Sequence, residues 1–295
     1  MRAEKLSKHF VCVGAQKSGT TWLYEQFRHS NEVNFGFFKE IHYFDSLYSK
    51  TNYLTKKRFE GLKWQFDNNP DRVEQWMCGD FKNLNPQERN LLSSLFGPVN
   101  DKWYVDSLRA ESGWSADFSP GYADIGVKGF EHLRSLCKRI HIIFILRTPV
   151  ERAWSGLVHE NRYVNKKNLE SLATSKIAEW LDRGRIPGYT DYAFTIKSLL
   201  KTFRMDQLQF VFHDDIRSDP EKVIDETCKR IEISPPENPK PRNAVVFQSP
   251  TVEMKSEVRN HLRERWRPMV VELQELGLDL PEAWINEYSI KAAAV

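Results

Sequence analysis

Cysteine is scarce in this chain: it occurs four times in 295 residues, at dispersed positions. The sequence has neither a CxxC pair nor a Cys/His spacing typical of zinc, so it predicts neither a metal site nor a disulfide scaffold. Cys12 and Cys137 lie in or beside apolar segments, where small buried thiols are expected. We therefore expect free thiols and, from them, a reducing compartment.

Long apolar runs and blocks of like charge are also missing. No stretch of 18 apolar residues occurs, so no membrane span is predicted, and the polar start followed by a short apolar run at 9–14 is unlike a signal peptide. Lys and Arg number 43 against 40 Asp and Glu, with no run of five like charges, which argues against bulk nucleic-acid or lipid binding. We expect a cytoplasmic protein whose anion sites are formed locally.

Two apolar segments have the pattern of buried parallel strands. Residues 9–14 end in a glycine, and the helix predicted after them places Leu23 and Phe27 on one face. Residues 140–146 are rich in β-branched and aromatic side chains, and Pro149 suits the first turn of a helix that runs to about Glu160. Each strand is thus followed by a short loop and a helix.

The rest of the chain continues this alternation. Further strands are predicted at Val33–Phe37, Ser115–Phe118 and Gln207–Phe212, and helices at 86–96, 126–138, 191–204 and 219–231. A helix from Thr251 to Arg267 should be followed at Pro268 by a second helix, or be kinked there. This order predicts an α/β, P-loop-like three-layer fold whose central, mostly parallel sheet of about five strands is flanked by helices. We expect one domain over 1–295, in which 46–112 and 162–188 fit the alternation poorly and are predicted to cover an active site.

The loop from Gly14 to Thr21 has the residues of an anion site. Backbone N–H groups at the start of a helix, together with Lys17 and neighbouring hydroxyls, suit a phosphate or sulfate. A nucleotide-hydrolysing P-loop places Lys after its last glycine and a magnesium-binding hydroxyl after that Lys, whereas Lys17 here precedes Gly19. The usual magnesium chemistry is therefore not indicated, and a purely structural turn remains an alternative for the loop alone.

A second anion-binding element follows the strand at 140–146. Arg147 can direct two hydrogen bonds at a phosphate and Ser155 can donate a third, and both lie near the carboxyl end of that strand, where open α/β sheets bind ligands. Because parallel strands end at one edge of a sheet, this element and the Gly14–Thr21 loop are expected to lie close together.

The two elements together resemble the sulfotransferases that use 3′-phosphoadenosine 5′-phosphosulfate (PAPS), whose signatures KxGTTWL and LRxPxxRxxS occur here in order. The resemblance implies that Arg147 and Ser155 bind the 3′-phosphate, and it leaves Arg152 either lining the site or in a helix-surface ion pair. It also implies a donor contact for Arg242. The residues that it assigns to the 5′-phosphosulfate are Lys17, Ser18, Gly19, Thr20, Thr21 and Trp22.

The segment from Phe37 to Asp45 resembles the KExHFF motif of sulfotransferases that act on heparan sulfate and other carbohydrates. This implies that Glu40 is the general base, while His42 orients it, contacts the acceptor or serves as an alternative base. The implied reaction moves a sulfuryl group from PAPS to a hydroxyl or amine of a carbohydrate or small molecule and leaves 3′,5′-ADP, without a metal.

A third segment resembles another element of the same family. The residues Asp117 to Tyr122 resemble the family's E-x-[ST]-P-x-Y element with Asp in place of Glu, although a simple Ser-Pro turn has the same pattern.

Two other functions are alternatives. A P-loop small-molecule kinase would bind ATP with Mg²⁺, and the lack of GK[ST] argues against it. A non-catalytic nucleotide-binding protein would not need Glu40.

Overall fold

The computed structural model describes residues 5–36, 38–79, 84–110, 112–237 and 252–291, and the strands in these ranges form one parallel sheet. They are β1 (Leu6–Gly14), β2 (Val33–Asn34), β3 (Trp114–Phe118), β4 (Cys137–Leu146) and β5 (Leu208–Phe212), in the spatial order β2-β3-β1-β4-β5. All four neighbouring pairs are parallel. The predicted α/β fold with a central parallel sheet is confirmed.

Helices cover both faces of the sheet and form the connections between strands. In chain order they are α1 (Thr20–Phe27), α2 (Tyr43–Tyr48), α3 (Tyr53–Asn68), α4 (Pro70–Met77), α5 (Pro86–Phe96), α6 (Asp101–Leu108), α7 (Gly126–Ser135), α8 (Pro149–Tyr163), α9 (Thr174–Leu181), α10 (Ile186–Thr190), α11 (Tyr192–Thr202), α12 (His213–Ser218), α13 (Pro220–Ile231), α14 (Ser256–Glu275) and α15 (Glu282–Tyr288). Short 3₁₀ helices lie at Pro120–Asp124, Leu169–Ser171 and Met205–Gln207.

Both faces of the central strands are buried, which explains their continuous apolar sequence. In β1, Val11 and Val13 belong to one hydrophobic cluster, while Phe10 and Cys12 belong to a second. Strand β4 divides its side chains between the same two clusters. Because successive side chains of a strand point to opposite faces, these two cores must lie on either side of the sheet, as a three-layer fold requires.

The differences from the sequence-based expectations that matter most are at three elements. The strand predicted at 33–37 is only Val33–Asn34, and Phe37 lies outside the described residues. Helix α7 ends at Ser135 rather than 138, because β4 begins at Cys137. Pro268 does not start a second helix but lies inside α14. There the buried side chains continue across the proline, and their packing maintains the helix; they are Leu262, Trp266, Met269, Val270 and Leu273.

None of the four cysteines, all of which the structure describes, forms a disulfide; Cys12, Cys137 and Cys228 are buried and Cys78 is exposed. Among the helices of the described ranges, none combines the length and the hydropathy that crossing a bilayer requires.

Candidate functional site

The loop between β1 and α1 lies at the carboxyl edge of the sheet. The Ala15 N–H donates to the Ile145 carbonyl, 2.8 Å away, which fastens the loop to β4. Gly19 precedes α1 with a φ of 109°, and a Cβ there would lie 3.2 Å from Ile216 Cδ1, so glycine serves both the backbone and the packing. The loop therefore presents the positive end of α1 at the sheet edge.

Arg147 reaches this loop from the end of β4. Its Nη1 donates to the Lys17 carbonyl at 3.3 Å, and its Nη2 lies 3.5 Å from Glu151 Oε2. Burial lowers the pKa of Arg147, but a guanidinium keeps its charge at neutral pH. Burial, with the charge of Arg147, also lowers the pKa of Lys17. The structure thus brings together the two elements that the sequence predicts to be neighbours.

Arg152 does not have one of the two roles that the resemblance left open, that of a helix-surface ion pair. Its side chain is fully buried, so it makes no helix-surface ion pair. Its Nε donates to the Gln16 carbonyl at 3.1 Å, and its Nη1 donates to the Ile186 carbonyl and the Thr190 hydroxyl, both at 2.8 Å. Arg152 therefore braces the loop through its hydrogen bond to the loop backbone. The sequence does not predict this role of Arg152, because the spacing of residues along a helix does not show that its guanidinium is buried.

A third strand end meets the same edge, which sequence reasoning did not use. His213 and Arg217 follow β5, and a Cβ on Gly19 would lie 3.6 Å from His213 Cδ2. Burial and the charge of Arg147 lower the pKa of His213 to about 4, so its imidazole is neutral at physiological pH. The predicted strand at 207–212 was an available signal, because its carboxyl end must meet the same edge.

Glu40, His42 and Asp45 form a hydrogen-bonded row beside the loop. His42 Nε2 lies 3.1 Å from Glu40 Oε2, and His42 Nδ1 lies 2.9 Å from Asp45 Oδ2. Burial alone would lower the pKa of His42, but its bonds to the two carboxylates raise it to about 9. Burial alone would raise the pKa of Glu40, but the bond to His42 and the positive charges of His42 and Lys39 hold it below its usual value. At neutral pH the row is therefore an imidazolium between two carboxylates.

Lys39 links this row to the loop at the start of α1. Its Nζ donates to Thr21 Oγ1 at 2.7 Å and lies 3.9 Å from Glu40 Oε1. The Glu40 side chain keeps 26% of its surface exposed, so a substrate can reach it. Lys39 belongs to the motif that singled out Glu40, but its partner Thr21 is distant in sequence, and no role was predicted for it.

The Asp117–Tyr122 element holds the backbone of this row in place through hydrogen bonds. Ser119 Oγ accepts the N–H groups of Ile41 and His42 at 2.9 and 3.1 Å, and it donates to Asp117 Oδ1 at 2.6 Å. The Tyr122 hydroxyl accepts the Tyr43 N–H and donates to Asp117 Oδ2 at 2.7 Å. Burial raises the pKa of Asp117. The element is more than a Ser-Pro turn, because it fixes the segment that carries Glu40.

The remaining predicted residues lie in different settings. Thr20 and Trp22 are buried, and Trp22 packs in the hydrophobic cluster that contains Phe10. Ser155 is partly exposed in α8. Arg242 lies outside the described residues. Of the residues that the structure describes, no three or more His, Cys, Asp or Glu side chains have the arrangement of a metal site.

The aromatic side chain that reaches the row was not among those expected to contact an acceptor. The Tyr53 ring centroid lies 5.0 Å from that of His42. The aromatic residues considered from sequence have other positions: Trp76, Trp103 and Tyr104 are buried, Trp180 is partly buried, and Trp64 and Tyr163 are exposed.

Comparisons with known proteins agree with this fold. Residues 129–267, less than half of the chain, match the family model described as a sulfotransferase domain; Arg147 and Ser155 lie in that span, whereas the Gly14–Thr21 loop and Glu40 lie before it. No curated protein matches the chain.

Two solved structures resemble the chain over almost its whole length. A sulfotransferase from Alicyclobacillus acidocaldarius matches with a TM-score of 0.60 and 20% identity, over 94% of this chain and 98% of that one. The sulfotransferase domain of the Synechococcus PCC 7002 olefin synthase matches with a TM-score of 0.52 and 15% identity, over 95% and 98%. At these identities the likeness shows the fold, which is that of sulfotransferases.

Proposed function

We propose that this protein is a sulfotransferase that moves a sulfuryl group from PAPS to a hydroxyl or amine of a carbohydrate or small molecule. The observation that carries the proposal is the convergence on one loop of Arg147, through the Lys17 carbonyl, and of Glu40, through Lys39 and Thr21. The domain match and the shared fold support sulfuryl transfer in general.

The residues of the loop suit the chemistry of the donor. The Ser18 hydroxyl is buried and lies close enough to the Tyr192 hydroxyl to affect its pKa, but among the described residues it makes no hydrogen bond of good geometry, so it has capacity to bond a ligand oxygen. In the proposal Lys17, Ser18, Gly19, Thr20 and Thr21 hold the 5′-phosphosulfate. Arg147 and Ser155 hold the 3′-phosphate, which ATP lacks, and buried Trp22 fixes the start of α1.

Glu40 is the proposed base because His42 cannot accept a proton at neutral pH. Both His42 nitrogens face carboxylates and its pKa is raised to about 9, so it already carries two protons. In the proposed step the acceptor oxygen bonds to sulfur as the bond from sulfur to the 5′-phosphate oxygen breaks, and the acceptor proton passes to Glu40. Lys17 and the N–H groups of the loop stabilise the charge that remains on 3′,5′-ADP.

The donor assignment is tested by ligand-induced stabilisation. We expect 3′,5′-ADP to raise the melting temperature more than 5′-AMP or ATP does, with or without Mg²⁺, since only it offers a 3′-phosphate to Arg147. Arg147→Ala should weaken its binding at least about 10-fold, because a charge-assisted pair is lost. Arg139→Ala is the matched control, because Arg139 is on the same strand but pairs with Glu232 at the surface. Greater stabilisation by Mg²⁺-ATP would favour the kinase alternative.

The base assignment is tested by transfer from radiolabelled PAPS to an acceptor panel. Glu40→Gln should lower kcat about 10²–10⁴-fold, since general-base catalysis is lost, and should leave 3′,5′-ADP binding intact. Glu60→Gln, at an exposed position of α3, should retain the wild-type rate. A Glu40→Gln enzyme as fast as wild type would remove Glu40 from the reaction.

A further inference from the structure

One face of α3 lies along the segment that carries Glu40. Tyr53, Lys57 and Gly61 are four residues apart, so they share a helix face. The Tyr53 ring contacts His42, and a Cβ on Gly61 would lie 3.5 Å from Phe38 Cε1. Lys57 lies between them on that face, near enough to Glu40 for its positive charge to lower the pKa of that carboxyl group.

The second segment that departed from the alternation meets the same tyrosine. Arg185, which immediately precedes α10, places its Cζ 5.2 Å from the centre of the Tyr53 ring. Its Nη1 donates to the Tyr189 hydroxyl at 3.1 Å. The segments 46–112 and 162–188 therefore meet at Tyr53, beside His42.

Arg185 is also held at a fixed position relative to the loop after β1. Tyr189 lies under the Arg152 guanidinium, whose Cζ is 5.6 Å from the ring centre, and Arg152 is bonded to the Gln16 carbonyl. Direct contacts thus lead from Gln16 through Arg152, Tyr189, Arg185 and Tyr53 to His42. Packing therefore holds the positive charge of Arg185 beside Tyr53, the tyrosine that contacts His42.

The charges of Arg185 and Lys57 are not matched by a close carboxylate. In the ranges that the structure describes, no carboxylate oxygen lies within 4.0 Å of either side chain, and both are partly exposed. Asp124 is near enough to Arg185 to affect its pKa, but its carboxylate accepts the Ser49 hydroxyl at 2.6 Å. Of the five guanidinium N–H donors, Tyr189 uses one.

We propose that the acceptor carries an anionic group, a carboxylate or a sulfate or phosphate ester, which Arg185 and Lys57 bind while Tyr53 packs against the acceptor ring and Glu40 faces its hydroxyl. A guanidinium binds such oxygens in pairs, and an aromatic ring offers a flat apolar surface with little entropy to lose. This inference rests on the proposed function and adds the substrate class. Arg185 and Tyr53 act in it as specificity-determining residues.

The test uses two probes that differ only in charge. On protein saturated with 3′,5′-ADP, binding of 4-nitrophenyl β-D-glucuronide is compared with that of 4-nitrophenyl β-D-glucoside by calorimetry. Wild-type protein should bind the glucuronide at least about 10-fold more tightly, and Arg185→Gln should remove most of that difference. Arg183→Gln is the matched control, because Arg183 is 73% exposed and pairs with Glu179. Equal affinity for both probes, binding of neither, or an unchanged preference in Arg185→Gln overturns the inference.

Turnover separates recognition from a merely structural effect. The rate is measured with pairs of acceptor alcohols, one anionic and one neutral. Arg185→Gln should raise KM for the anionic alcohol and leave its kcat, and the kinetics of the neutral alcohol, nearly unchanged. Arg185→Lys should restore part of the lost affinity for the anionic alcohol. Equal damage to both members would indicate a structural role and overturn the inference. Saturation with 3′,5′-ADP reports on the donor site separately: its failure contradicts the proposed function, whereas a missing charge preference in a protein that binds 3′,5′-ADP contradicts only this inference.

Discussion

Ser119 is a residue whose single hydroxyl serves three partners. It accepts two N–H groups from the segment that carries Glu40 and donates to Asp117. Ser119→Ala leaves those N–H groups without their acceptor, which should lower the free energy of unfolding by about 1–3 kcal/mol. The loosened segment misplaces Glu40, so kcat should fall about 10- to 100-fold.

The control for Ser119 is a buried serine that does not contact this segment. Ser198 donates to the Phe194 carbonyl within its own helix, so Ser198→Ala should leave kcat unchanged. Both variants should bind 3′,5′-ADP like the wild type, as measured by calorimetry. A Ser119→Ala enzyme that loses stability but keeps kcat would show that the hydroxyl supports the fold and not the position of the base.

His42 makes the stability of the protein depend on pH in a defined direction. Its pKa is raised to about 9 from 6.5, so the folded chain holds the proton more tightly than the unfolded chain does. The resulting stabilisation is complete below pH 6.5 and is lost as the pH rises through about 9. The gap in melting temperature between wild type and His42→Gln should therefore be widest near pH 6 and close by about pH 9.5; a constant gap would contradict the raised pKa.

The site residues that the sequence predicts have a recognisable motif around them, whereas those that it does not predict take their roles from contacts with distant parts of the chain. Lys17 and Arg147 stand at strand ends in ordered motifs, and the carboxyl-edge rule brings them together without a structure. Lys39 and Arg152 take their roles from partners far along the chain, Thr21 and Gln16. No spacing within either motif encodes those contacts.

At the scale of elements, the predicted strands and helices match the structure best where packing is two-sided. The run at 140–146 is apolar because both faces of β4 are covered, so its pattern is unambiguous. Helix α3 buries only Leu54 and Gln65, which explains the weak periodicity of its segment. It is attached instead through Arg58, whose guanidinium donates to the Leu95 and Gly97 carbonyls at 2.7 and 2.8 Å.

The sequence predicts the number of strands but not their order in the sheet. The chain places β3 beside β1 only after the long helical excursion from α2 to α6, and such a connection has no local signal. Parallel orientation alone was enough to predict a shared carboxyl edge. The residues of the candidate site could therefore be predicted without knowing which strands are neighbours in the sheet.

At the scale of the whole molecule, three separate strand ends meet at one edge, which predicts a joint response to the donor product. The loop after β1 bonds to Arg147 after β4 and lies against the start of α12 after β5, and the charge of Arg147 acts on His213 in α12. Binding of 3′,5′-ADP should slow hydrogen exchange in all three (14–21, 147–155 and 213–217) while α3 to α5 stay unchanged. At 100 times its Kd the ligand should add about 2.7 kcal/mol to the free energy of unfolding. Protection confined to 14–21 would mean that the loop binds an anion without the other two strand ends, and the site would then lack the 3′-phosphate contact that distinguishes PAPS from ATP.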